Sequence, residues 1–183
     1  LHKARVLRNF VSFEKSNKLL DKLITKLDDQ ANELAYSVVI EKLYNLCWNS
    51  RINEAYSLAR KMIEACANAG NLKVMLWFER YLCTIYFFAG NMKESVYYYE
   101  KSLGISTDEL KYLGMHSTGI YAAKAYQMMG DRNRSLSVLS QDLQRLRNTG
   151  NYEEMWACFL LAAEIHYQNA FIDKMNGENA SFE

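Results

Sequence analysis

The sequence predicts an all-α fold, a right-handed superhelical array of antiparallel helix hairpins. Short turn segments recur every 40 residues, at 50–55, 90–95 and 130–135, and 170–175 keeps the spacing with a weaker match. The chain contains no proline, the residue that interrupts helices. Glycines at 70, 90, 130 and 150 each precede Asn or Asp, an order that ends one helix and caps the next. A fixed period of this length is typical of a helical repeat array.

The helices follow from these joints, and we name the first helix of each hairpin A and the second B. Residues 1–11 are predicted to end an A helix, and 14–28 to be its B helix. The other A helices are expected at 32–48, 72–88, 108–128 and 152–168, and the B helices at 52–67, 92–103 and 132–147, with a fragment from 172. The repeats then span about 1–28 (partial), 32–67, 72–103, 108–147 and 152–175 (partial). A frayed tail is expected over 176–183, and residues 1–183 form a single helical-repeat domain.

Small residues recur at fixed places in this register. One column of A-helix positions consists of Leu43, Cys83, Ala123 and Ala163. A second column, twelve positions further along in each B helix, consists of Ala55, Ser95 and Ser135. Because small residues at both places let two helices approach closely, we expect these columns to meet inside each hairpin.

The order small, ring, small, clearest at Ala123, Tyr126 and Ser135, resembles the tetratricopeptide repeat, stretched from about 34 residues to 40. The longer unit and turns such as 89–95 resemble the superhelical sensor region of MalT-like, LuxR-type bacterial transcription regulators, over about residues 12–175. The resemblance implies the regulatory arm of a larger protein that also carries an ATPase and a DNA-binding helix-turn-helix. It also implies a small inducer as the ligand and other domains of the parent protein as partners.

Bulk properties limit the function. The net charge of +1 gives no electrostatic reason for nucleic-acid contact, and no apolar run reaches the ~20 residues that cross a bilayer. The four cysteines lie singly in apolar helical patterns, as expected of reduced thiols in a cytoplasmic protein. The chain begins without methionine, and we interpret it as a piece of a larger protein.

Neither catalysis nor a cofactor is expected in this chain. Its three histidines are far apart in sequence, and His166 stands where other repeats have tyrosine, so packing explains it best. Paired carboxylates such as Glu153 and Glu154 lie at predicted helix starts, where they offset the helix dipole. The sequence also lacks clustered metal ligands and the Gly-x-x-x-x-Gly-Lys-[Ser/Thr] phosphate loop.

The A helices carry polar and aromatic residues on a face that should line the concave groove of the array. A helix that only fills a core shows fewer of them. The candidate ligand-binding residues are Trp77, Arg80, Thr84, Phe87, Lys124, Gln127, Glu164 and Tyr167. Rings hold apolar groups or sugar faces, and the two cations suit a carboxylate or a phosphate. The alternative is that these side chains are only solvated.

Two functions remain open from the sequence. The first is a ligand-sensing and protein-interaction arm of a multidomain transcription regulator, which binds a small inducer or a peptide in the groove. The second is a peptide- or protein-binding TPR scaffold or adaptor with no role in transcription, which uses the same groove. The domain content of the parent protein would discriminate between them.

Overall fold

The computed structural model describes residues 2–10, 12–27, 33–104, 118–149 and 152–175, and this part of the chain is α-helical without a strand. The helices are α1 His2–Phe10, α2 Phe13–Leu27, α3 Glu33–Trp48, α4 Ile52–Asn68, α5 Leu72–Phe88, α6 Met92–Lys101, α7 Thr118–Met128, α8 Arg132–Thr149 and α9 Tyr152–Met175. A 3-10 turn, Ser102–Gly104, follows α6. The predicted all-α class is therefore confirmed. Among the described helices, none is long and apolar enough to cross a membrane.

The chain divides into two compact units, residues 1–116 with α1–α6 and residues 117–183 with α7–α9. In the first unit each helix packs on the next one along the chain, and α3 also touches α5. In the second unit α8 packs on both α7 and α9, and α7 also touches α9. Each unit is therefore built from neighbouring helical hairpins. A continuous superhelix over 1–183 stays a prediction.

The helix joints share one pair of backbone hydrogen bonds. At the end of α5, Gly90 N–H donates to Phe87 O at 3.0 Å and Asn91 N–H donates to Tyr86 O at 2.9 Å. Gly90 has φ +77°, the left-handed conformation that this helix end requires. The Asn91 side chain then accepts a hydrogen bond from Glu94 N–H at 3.3 Å and caps α6. Joints at 70 and 130 repeat this arrangement, as the sequence predicted.

The joint at 50 uses serine in the glycine position. Ser50 N–H donates to Cys47 O at 3.1 Å and Arg51 N–H donates to Leu46 O at 2.9 Å. Ser50 has φ +57°, where a side chain is unfavourable. Arg51 makes no capping hydrogen bond to α4 and pairs with Glu54 at 2.6 Å instead. The joint at 50 therefore keeps the two backbone hydrogen bonds, although it has neither glycine in the left-handed position nor a capping Asn or Asp after it.

The predicted small-residue columns meet inside the hairpins. Ser95 Oγ donates to Cys83 O at 2.9 Å, and Ser135 Oγ donates to Ala123 O at 2.7 Å. All four residues are buried. The same bond joins α2 to α1, where Ser16 Oγ donates to Ala4 O at 2.8 Å, again twelve residues apart. The twelve-residue spacing of this contact therefore extends to the first hairpin, where both residues lie one position later than the 40-residue period of the columns requires.

The end of α9 corrects one prediction. A joint was expected near 170 and a new helical fragment from 172, but α9 continues without a break to Met175. Ala170 stands where other joints have glycine or serine, and alanine strongly disfavours the left-handed conformation. The helix has no local reason to stop there. The expected start of a helix at 108 and the frayed tail at 176–183 lie outside the described residues.

Candidate functional site

Three of the four predicted groove residues in the first unit are buried. Trp77 is 1 % exposed, Arg80 4 % and Thr84 1 %. Helix α5 packs against α4, α6 and α3, so most of its circumference is covered. This burial does not agree with the open groove wall on which the sequence placed these side chains. A role in ligand binding stays a prediction for them.

The contacts of these residues are those of a packed core. The Trp77 ring meets Phe78 edge-on, with centroids 5.2 Å apart. The Arg80 guanidinium lies over the Tyr99 ring of α6, 5.8 Å from its centroid. The Thr84 hydroxyl oxygen is buried and has no hydrogen-bond partner in the described part of the chain. The Thr84 hydroxyl and the Arg80 cation are thus buried rather than presented to solvent.

Aromatic rings at the ends of α3 and α5 form an accessible surface in the first unit, which we name the aromatic patch. Trp48 is 49 % exposed and meets Phe88 edge-on, with centroids 5.3 Å apart. Tyr44 lies 6.0 Å from Trp48, and Phe87 lies 5.7 Å from Phe88. Tyr44, Phe87 and Phe88 are half-buried. The predicted residue Phe87 therefore belongs to a continuous group of four rings.

Sequence reasoning missed Trp48 and Phe88 as candidates for this surface. Each is the last residue of an A helix, in the same register, directly before the turn. Two large rings one repeat apart, 40 residues, were the signal that could have identified them.

The predicted residues of the second unit are accessible, and hydrogen bonds link three polar side chains there in series. Gln127 Nε2 of α7 donates to Gln168 Oε1 of α9 at 2.7 Å, and Gln168 Nε2 donates to Glu164 Oε1 at 3.2 Å. Lys124 is half-buried, and Tyr167 is 74 % exposed. The surface shared by α7 and α9 therefore offers amide groups, a carboxylate and an accessible ring.

The cysteines show no sign of activation. Burial raises the pKa of Cys47 to about 12, and burial, followed by the charges of Asp142 and Glu154, does the same for Cys158. Because a thiolate is the nucleophile and the metal ligand, these thiols stay protonated and unreactive near neutral pH. Within the described ranges, no three His, Cys, Asp or Glu side chains lie close enough together to hold a metal ion.

Comparison of the chain with protein-family models, with curated proteins and with solved structures gives no match.

Proposed function

We propose that this chain is a TPR-like superhelical module that binds a peptide segment of a partner protein on the surface of its A helices. The observation that carries the proposal is the aromatic patch, in which Trp48 is half exposed while packed against Phe88. Contact among four rings holds them rigid, so gripping an apolar side chain costs little conformational entropy. An apolar cluster of this kind on a surface marks an interaction site.

The polar surface of the second unit supports a peptide as the bound molecule. Gln127, Gln168 and Glu164 provide both donors and acceptors, which suit the amides of an extended chain. A small ligand is usually enclosed, with most of its surface buried in a concave site. Trp77 and Arg80, the residues predicted to grip such a ligand, are themselves packed in the core. The accessible candidates therefore fit an extended partner better.

A small inducer is the second candidate. In the second unit, the accessible Tyr167 ring together with amide and carboxylate groups is also a combination that recognises a sugar face and its hydroxyls. In that version the chain is the sensing arm of a cytoplasmic, LuxR-type transcription regulator, as the resemblance to MalT-like proteins implies. The other domains of the regulator are then its partners. A TPR adaptor without a role in transcription shares the same surface, so both versions depend on the A helices.

Nuclear magnetic resonance of the labelled chain tests the proposal. Pools of random 12-residue peptides are added in one series and a panel of oligosaccharides in another. We expect peptide-induced shifts at Tyr44, Trp48, Phe87 and Phe88, and their loss in Trp48→Ala. The control is Tyr97→Ala, which removes an exposed ring from the B helix α6 of the same unit. Shifts with oligosaccharides alone would favour the inducer, and no shift at these residues in either series would reject the proposal.

A further inference from the structure

A second group of rings in the first unit lies beside an exposed cation. Arg60 of α4 is exposed, and its Nε–H donates a hydrogen bond to the Tyr56 hydroxyl at 3.0 Å. The Tyr56 ring meets Tyr86 of α5 edge-on, with centroids 5.9 Å apart. Tyr86 in turn stacks on Tyr98 of α6, with centroids 5.3 Å apart and an interplanar angle of 9°. We name these four residues the tyrosine cluster.

Packing in the repeat accounts for only one member of the cluster. Tyr86 is the ring of its repeat, the equivalent of Tyr126. The equivalents of the other three members, 40 residues later, are aliphatic or acidic: Val96 for Tyr56, Val138 for Tyr98 and Glu100 for Arg60. Because valine serves at both of these ring positions, packing does not require the hydroxyls of Tyr56 and Tyr98. A departure from the repeat that adds polar groups to an accessible surface indicates a functional role.

Tyr56 and Arg60 direct hydrogen-bond donors toward solvent. The Tyr56 oxygen accepts hydrogen bonds from the Tyr86 hydroxyl and from Arg60, and these lower the pKa of the Tyr56 hydroxyl. Because the two bonds occupy the lone pairs of this oxygen, the hydrogen of Tyr56 remains to be donated outward. Arg60 has five N–H groups and no acceptor, and Tyr56 uses one of the five. Together the two side chains offer donors and a positive charge to one ligand.

The charge of Arg60 is not neutralised by a carboxylate among the described residues. Its hydrogen bond to Tyr56 raises the pKa of Arg60, and the other groups that do so are tyrosines of the cluster. Glu64, four residues further along α4, is within the ordinary reach of a helical ion pair, but Arg60 is directed back to Tyr56 instead. Arg51, by contrast, pairs with Glu54. The positive charge of Arg60 is therefore available to a ligand.

We propose that Arg60 and Tyr56 bind the carboxylate of an aspartate or glutamate side chain in a peptide segment of a partner protein. A guanidinium matches a carboxylate in charge and in its planar pair of hydrogen bonds. A phosphate group carries up to two negative charges, and only one cation is present in the cluster. Tyr86 is a positioning residue, because its hydroxyl bonds to the Tyr56 oxygen and so directs the Tyr56 hydrogen to the ligand.

The exposure of the cluster favours a peptide over a free organic acid. An ion pair at an exposed position contributes little on its own, so a small acid is not retained there. Small ligands are normally enclosed in a concave site, whereas Arg60 is exposed and the three rings are half-buried. An acidic side chain is held because the rest of its peptide makes further contacts, for which the Tyr98 ring provides apolar surface. This site is separate from the aromatic patch and does not depend on it.

Nuclear magnetic resonance of the intact labelled chain with two peptide pools tests this proposal. The pools contain random 12-residue peptides that are identical except for a central glutamate in one and a central glutamine in the other. We expect the glutamate pool to shift the Arg60 Nε–H signal and the ring signals of Tyr56 and Tyr86. The glutamine pool should require at least about tenfold more peptide for the same shift, because it lacks the charge-assisted hydrogen bonds. Signals of Trp48 and Phe88 report the aromatic patch in the same spectra, so the two proposals succeed or fail separately.

Variants of the cluster assign the roles. Arg60→Gln should weaken binding of the glutamate pool about tenfold, and Tyr56→Phe, which keeps the ring, about threefold. The matched control Lys61→Gln removes the neighbouring exposed charge of α4 and should change binding by less than about twofold. Tyr86→Phe should raise the pKa of Tyr56, followed by the ring-carbon shift of Tyr56 against pH, since it removes a hydroxyl that bonds to the Tyr56 oxygen. A purely packing role of Tyr86 would leave that pKa unchanged.

Acetate and inorganic phosphate are titrated separately as small anions. Any of four results would overturn the proposal. The first is no shift at Arg60 and Tyr56 with the glutamate pool, and the second is an equal response to both pools. The third is equal weakening by Arg60→Gln and Lys61→Gln, which would show general attraction of negative charge. The fourth is that acetate or phosphate shifts the same signals at concentrations as low as the glutamate pool does, because a free anion would then be the ligand.

Discussion

Helices α5 and α9 occupy the same place in the repeat but differ on one side only. Their inner positions are equally buried: Phe78 and Cys158 are both 0 % exposed, and Ile85 and Ile165 are both 1 % exposed. On the other side, Arg80 is 4 % exposed, whereas its equivalent Leu160 is 67 % exposed. The side that is covered in α5 by a B helix is open in α9.

This difference teaches that burial in a repeat is decided by the neighbouring helix and not by the residue. The covered position of α5 holds an arginine, and the exposed position of α9 holds a leucine, the reverse of their ordinary preferences. Arg80 is accommodated because the Tyr99 ring of α6 faces its guanidinium. Each A helix therefore has two packing faces, and only the hairpin partner determines whether the second one meets water.

The largest contrast in the free energy of unfolding is expected when glutamate replaces Cys83 in α5 and the equivalent residue, Ala163, in α9. Cys83→Glu places a charge at a fully buried contact with Ser95 and should lower the free energy of unfolding by more than about 5 kcal/mol. Ala163→Glu should change it by less than about 0.5 kcal/mol, because that position is exposed. Urea denaturation followed by circular dichroism measures both. Equal losses would show that α9 is covered as α5 is.

Removal of a tryptophan from each helix gives the next largest contrast. Trp77→Ala should cost about 3–5 kcal/mol, the range for deleting a buried aromatic side chain. Trp156→Ala should leave the free energy of unfolding within about 0.5 kcal/mol, because its side chain is 67 % exposed. Chemical denaturation again provides the measurement. If the free energy of unfolding of Trp77→Ala equals that of the unmodified chain, Trp77 is not part of the packed core. Its predicted place in an accessible groove would then be supported.

Alkaline unfolding tests whether water is excluded from the inner side of α9, which carries Cys158, as completely as from α3, which carries Cys47. Cys47 and Cys158 have a pKa of about 12 when folded, against 9.0 for an exposed thiol. Above pH 9 the unfolded chain loses these protons while the folded chain keeps them, so the stabilisation present below pH 9 is lost as pH rises toward 12. Each thiol should account for about 2 kcal/mol of loss by pH 10.5.

Cys47→Ala and Cys158→Ala should each reduce this alkaline slope by a similar amount. Denaturation midpoints between pH 8 and 11 measure it. A reduction for Cys47→Ala alone would mean that water reaches the inner side of α9.

The smallest expected effects concern the joints, since a turn at Gly90 follows α5, whereas α9 passes through the equivalent position, Ala170, without a break. Gly90→Ala should destabilise the first unit by about 1 kcal/mol, since alanine disfavours φ +77°. Ser50→Gly should have the opposite effect and stabilise the first unit by less than about 1 kcal/mol. Ser50 has the same left-handed conformation, which is unfavourable for serine and accessible to glycine. Thermal melting of the two variants, compared with the unmodified chain, should show shifts of opposite sign.

Helix bounds were predictable because their signals are local. Each described glycine joint has a left-handed glycine, at 70, 90 or 130, and a capping Asn or Asp directly after it. These residues affect the backbone only within one helical turn, and no proline interrupts the helices between them. The spacing of twelve between paired small residues was also readable, since a hairpin of fixed length brings fixed positions together. Among the joints that the structure describes, the wrong one, at Ala170, arose where the period continued but the residue that makes the turn was absent.

The candidate site depended on the tertiary structure. Periodicity identified the face on which Trp77, Arg80 and Thr84 lie, but it did not reveal that neighbouring helices cover that face. It also gave no reason to select Trp48, whose ring becomes part of a surface only when α3 and α5 lie side by side.

The amino-acid sequence by itself determined most of the described helix bounds, the joints at 50, 70, 90 and 130, and the spacing of the hairpin contacts, because hydrogen bonding and turn conformation are short-range. Only the tertiary structure decided which apolar faces are buried and which remain open. Burial requires a second surface, and the sequence of one helix does not contain the helix that packs against it.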